Sequence, residues 1–75
     1  MTDTIKAKRL GAKIRAHRKQ NKMTQEEFGA LFRADQALVS KWESGKSVPG
    51  TVHAASLVKM GVCTLDECAA AAGGE

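Results

Sequence analysis

The stretch TQEEFGALFRADQALVSKWESG, residues 24–45, contains two helix starts and a helix stop. Thr24 is a good N-cap residue and Glu27 follows three positions later. This is the capping-box pattern, in which the threonine oxygen takes the Glu27 N–H and the glutamate answers at the Thr24 N–H. Met23 before the cap and Phe28 after it supply the hydrophobic staple. A helix is predicted from Gln25 through about Phe32, with Phe28, Leu31 and Phe32 as its apolar face. Arg33-Ala34 breaks it, and Asp35 caps a second helix from Gln36 to about Glu43. On that helix Val39 and Trp42 fall on one side, while Gln36, Ala37, Ser40 and Lys41 fall on another. Gly45 is suited to a left-handed exit. Helices of about nine residues are marginal alone. The reading therefore requires Phe28, Leu31, Val39 and Trp42 to clasp the two together.

Toward the N-terminus, Ile5, Leu10, Ile14 and His17 form the apolar side of a helix from about residue 5 to Gln20, whose other side is basic. Gly11 weakens this helix by up to ~1 kcal/mol, and His17 sits at the edge of the packed stripe. Toward the C-terminus, Pro49-Gly50 precedes a helix from Thr51 to Met60 carrying Val52, Ala55, Leu57, Val58 and Met60. Gly61-Val62-Cys63 breaks it. Thr64 and Glu67 repeat the capping pattern before a last helix from Leu65 to about Ala71, with residues 72–75 as a frayed tail. The expected fold is all-α: a compact bundle of five short helices in one domain spanning 1–75, with a helix-turn-helix at about 24–44.

Composition narrows the function. A chain of 75 residues buries a smaller fraction of its surface than a large one. Cys63 and Cys68, five apart on one helical stretch, are expected to point in different directions and act as small apolar side chains; they form no disulfide framework and no zinc set with His17 or His53. No metal and no cofactor is expected. The N-terminal MTDTIKAKR has an acid and no apolar run, so it does not read as a secretory signal. No run approaches the length that spans a bilayer, and a soluble, cytoplasmic protein is expected. Residues 1–46 carry eleven Lys/Arg against five Asp/Glu, or +6, whereas 47–75 carry one against three, or −2. The basic half is where a polyanion would be met. An enzyme is disfavoured: no Ser/His/acid set is apparent, His53 has no defined partner, and there is no phosphate loop.

From Leu10 to Pro49, the chain resembles the Cro and lambda-repressor-like helix-turn-helix family, a five-helix domain. The resemblance rests on ordered elements: Ile14-Arg15 with Arg18, then TQEEF at 24–28, then VSKWESGK at 39–46, then Pro49. It implies a transcriptional repressor or regulator that binds double-stranded DNA, as a homodimer on a palindromic operator, with the helix beginning at Gln36 in the major groove. The other reading weighed is an antitoxin-like regulator that also binds a partner protein. The chain departs from the family in having Arg33 where glycine is usual, Gly29 for alanine, Leu38 for serine or threonine, and Ala54 and Gly61 for leucine. An arginine held in left-handed geometry at position 33 would cost roughly 1–2 kcal/mol, and close approach of another element would explain Gly29.

The resemblance also assigns roles. Gln25 matches the glutamine that anchors the second helix to phosphate, and Lys46 and Ser44, placed in the loop after the third helix, match phosphate-contact positions. Arg33 is a further phosphate candidate without family precedent. Arg18 and Glu43 match a structural pair joining the first helix to the end of the third. Base reading falls to Gln36, Ala37, Ser40 and Lys41. Glutamine can pair bidentately with adenine, lysine can donate to guanine O6 and N7, and alanine can pack a thymine methyl.

Overall fold

A computed structural model describes residues 5–72. The expected tail at 73–75 lies outside the described residues, and Ala72 belongs to the last helix. Among the described residues the regular elements are α1 (Ile5–Gln20), α2 (Gln25–Ala30), α3 (Gln36–Ser44), α4 (Thr51–Lys59) and α5 (Leu65–Ala72). Helix α1 packs on α3 and α5, α2 packs on α3, and α4 packs on α5. The all-α bundle is as expected.

The local reasons are visible at each helix end. Helix α1 stops where Met23 N–H bonds Arg18 O and Lys22 N–H bonds Lys19 O, with Lys22 in the left-handed region at φ 56°. This is the Schellman exit. Thr24 then caps α2 with both capping-box bonds in place, 3.1 Å to the Glu27 N–H and 2.8 Å from Thr24 N–H to Glu27. Asp35 caps α3 by accepting from Leu38 N–H at 2.8 Å, and Gly45 closes it at φ 82°.

The turn between α2 and α3 carries the family departure at Arg33. Ala34 N–H reaches back to Gly29 O at 2.9 Å, and this closure holds Arg33 at φ 56°. A side chain in that region is strained. Arg33→Gly is accordingly expected to stabilise the fold by about 0.5–1 kcal/mol after the larger chain entropy of glycine is subtracted. In a calorimetric scan the unfolding midpoint should rise by roughly 2–8 °C; a fall would mean the arginine has compensating contacts. Gly29 is explained by the same closure, since a Cβ there would overlap Ala34 O and stand 3.1 Å from Val39 Cγ2.

The core is built from Leu10, Ile14, Phe28, Phe32, Val39, Trp42, Leu57, Val62, Cys63, Cys68 and Ala71. Four expectations are corrected here. Leu31 is 55% exposed, and the residue that completes the clasp is Phe32, its ring tilted against that of Phe28 at 4.9 Å between centroids and edge-on to Trp42. The reason is that α2 ends at Ala30, so Leu31 and Phe32 belong to the turn and the helical wheel no longer applies to them. Ile5 is exposed, because five residues before Leu10 is about 140° round the helix; Ala7 takes the inner place. His53 is not isolated. Its Nε2 lies 3.1 Å from Phe32 O and its ring 5.1 Å from that of Trp42, so α4 rests on the helix-turn-helix through this histidine. Finally, Cys63 precedes α5 instead of lying on it, and the two sulfurs meet at 3.1 Å.

Candidate nucleic-acid interface

Val39 and Trp42 press α3 onto the core and leave positions 36, 37, 40 and 41 on its outer side. Gln36, Ala37 and Lys41 are exposed there and Ser40 is half-buried. Leu38 packs partly against the core. Arg33, Asp35, Ala37 and Lys41 border a shallow open concavity between the turn and α3. The turn arginine and the helix lysine therefore flank one surface.

Behind that face runs a chain of side-chain hydrogen bonds. Arg18 on α1 grips Glu43 with two donors, Nε to Oε2 at 2.6 Å and a terminal nitrogen to Oε1 at 3.0 Å, and gives a third to Met23 O at 3.0 Å. Glu43 Oε1 also accepts from Gln25 Nε2 at 3.1 Å, and Gln25 Oε1 accepts from Gln36 Nε2 at 2.5 Å. The polarity of every link follows from the first. A guanidinium only donates and a carboxylate only accepts, so Gln25 must turn its NH₂ toward Glu43 and its oxygen toward Gln36. Gln36, exposed at the start of α3, must then donate one N–H to Gln25, which leaves its Oε1 and second N–H for other partners. That is the donor and acceptor pair an adenine edge requires at N7 and N6.

The Arg18 and Glu43 side chains are 11% and 6% exposed. Burial works to raise the Glu43 pKa, but hydrogen bonds from Arg18 and Gln25 and the charges of Arg18 and Arg15 outweigh it and leave the pKa below the ordinary carboxylate value. The hydrogen bond to Glu43 in turn raises the pKa of Arg18. Both groups stay charged at neutral pH, so the polarity of the chain is fixed.

The other candidates sit around this frame. Gln25 is the first residue of α2, with its amide already bonded at both ends. Ser44 is the last residue of α3, not a loop residue, and its hydroxyl donates to Lys41 O at 3.1 Å. Lys46 is exposed just beyond Gly45, with its N–H bonded to Lys41 O at 3.0 Å. The Gln25–Gln36 link is absent from the expectations drawn from the sequence. Its signal was present, since each helix of the pair begins with glutamine directly after its cap, and residues at two helix starts joined by a short turn can meet.

Two short helices joined by a tight turn, the second with its polar side outward and its apolar side locked to the first, define a DNA-binding helix-turn-helix. A family model described as Helix-turn-helix, of the Cro and C1 type, matches residues 14–61. The chain belongs to that family, whose members are DNA-binding regulators. No curated protein and no solved structure matched the chain.

Proposed function

We propose that this chain is a sequence-specific transcriptional repressor or regulator that binds a palindromic operator as a homodimer, inserting α3 into the major groove. The observation that carries the reading is the outward edge of α3, where a chain of hydrogen bonds beginning at Arg18 orients Gln36. Gln36 reads adenine, Lys41 donates to guanine, and Ala37 and Ser40 fill the step between. Lys46, Ser44, Gln25 and Arg33 supply contacts to phosphate, which position the helix without reading sequence. The dimer follows from size: one small domain reads only a few base pairs, and two-fold half-sites about 34 Å apart give the needed length. The whole of 1–75 acts as one DNA-binding domain in the cytoplasm, and the +6 charge of residues 1–46 is its electrostatic footprint.

The test separates the two kinds of contact. With a duplex selected from a random pool and a scrambled control, Lys41→Ala should cost ~1–3 kcal/mol of discrimination on the selected site and much less on the control. Lys46→Ala should weaken both duplexes alike and lower the slope of log affinity against log salt by about 1. Equal loss on both duplexes for Lys41→Ala would remove the base-reading assignment.

A further inference from the structure

Cys63 and Cys68 take no part in the DNA-reading face, yet their placement follows a definite rule. Thr64 and Glu67 form a capping box at the start of α5, with Thr64 N–H donating to Glu67 at 2.8 Å and Glu67 N–H to Thr64 Oγ1 at 3.1 Å. Such a box brings together the side chain just before the cap and the one four positions after it. At α2 these two positions hold Met23 and Phe28. At α5 they hold Cys63 and Cys68, so the staple of this helix is a pair of thiols. Their sulfurs are 3.1 Å apart and the residues are only 7% and 6% exposed. Lys13 on α1 pairs with Glu67 across the same helix start. Burial, then the bond to Cys68, pushes the Cys63 thiol up to about 12, so it is protonated at rest.

We propose that Cys63 and Cys68 are an oxidisable dithiol that closes to an intrachain disulfide with a peroxide, making the staple of α5 covalent. One sulfur, once ionised, attacks a peroxide oxygen; the O–O bond breaks, hydroxide leaves, and a sulfenic acid forms. The second thiol then loses its proton, its sulfur attacks the sulfenic sulfur, and the oxygen departs as water. In sum two thiols and one hydrogen peroxide give one S–S bond and two waters, with two electrons passing from the sulfurs to the peroxide. A dithiol reductant reverses the closure by thiol–disulfide exchange. The first step is slow because the sulfurs are buried and Cys63 is protonated. The second is fast because the partner is already in contact, which protects the sulfenic acid from further oxidation. The closed ring removes freedom from the unfolded chain and ties the α4–α5 connection to α5.

The test uses the full chain, folded, treated with hydrogen peroxide and followed by intact mass after alkylation under denaturing conditions. The expected product is a monomeric chain that has lost two hydrogens and takes up no alkylating agent. Its unfolding midpoint is higher by about 5–15 °C and falls back on adding dithiothreitol. Cys63→Ser and Cys68→Ser, oxidised in the same way, should each give sulfenic and sulfinic acids or intermolecular dimers. Sulfinic acid or intermolecular disulfide as the main product of the unaltered chain overturns the proposal, as does an internal disulfide that lowers the midpoint. Neither readout involves DNA, so the proposal stands or falls apart from the functional reading above.

Discussion

Glu43→Ala is expected to lower the thermal unfolding midpoint by at least about 10 °C. The substitution removes one carboxylate but leaves two groups stranded. Arg18, whose side chain is 11% exposed, loses both of its bonds to Glu43 and keeps only Met23 O. Gln25 loses the acceptor that set the direction of its amide. Leaving a buried charge without its partner costs ~3–5 kcal/mol when burial is complete, and somewhat less here. The double variant Arg18→Met with Glu43→Leu separates the cost of a stranded charge from any intrinsic benefit of the pair, and it should recover most of the loss. A pH series adds a second readout. The Glu43 pKa is depressed on folding, so its contribution is present above the ordinary value of 4.5 and lost as pH falls through the folded value. The gap between the unaltered protein and Glu43→Ala should therefore narrow as the solution is acidified below pH ~4.5. A midpoint shift under about 3 °C at neutral pH would mean that water replaces the pair without cost. The same variant should lose preference for adenine at the base read by Gln36, since nothing then orients Gln25.

Which features could be read from the residues alone follows from how far each interaction reaches along the chain. Helix starts are local: Thr24 with Glu27, Asp35, and Thr64 with Glu67 lie within one turn of the groups they satisfy, and all three caps are in place. The outer face of α3 is also local, because Val39 and Trp42 three apart fix its rotation. Periodicity failed where the helix itself stopped. The apolar wheel that includes Leu31 ends at Ala30, and in the turn Phe32 takes the inner place. Helical spacing likewise does not govern the two cysteines: a cap lies between them, so Cys63 stands before α5 and its sulfur meets that of Cys68. The link of His53 to Phe32 and Trp42 spans elements that local pattern does not connect. The pairing of Arg18 with Glu43, 25 residues apart, entered through the family resemblance and has no local signature. Gly11 is the most instructive case, because its local reading carries the wrong sign.

Judged by helix propensity, Gly11→Ala should stabilise α1 by about 1 kcal/mol. The fold predicts the opposite. Gly11 lies where α1 crosses the last turn of α3, and a Cβ built there would overlap Trp42 O and sit 2.6 Å from Glu43 O. Both are backbone atoms, so no rotamer change relieves the overlap. The turn that would have to move carries Trp42, which is buried, and Glu43, which is held by Arg18 and Gln25. It also ends at Gly45, over which the backbone and stem of Lys8 are packed, so α1 confines this turn at two points one helical turn apart. Overpacking a well-filled contact costs ~1–3 kcal/mol and more when backbone must shift. A net loss of about 2 kcal/mol or more is expected, lowering the unfolding midpoint by roughly 10 °C or beyond. Ala12→Gly is the paired control. Ala12 is exposed on the same helix, so that change should cost only the propensity difference of about 1 kcal/mol. If Gly11→Ala raised the midpoint, the two helices would not be in backbone contact. The hydrogen-bond chain from Arg18 to Gln36 would then have no rigid base, because it is this crossing that sets the height of α3 against α1.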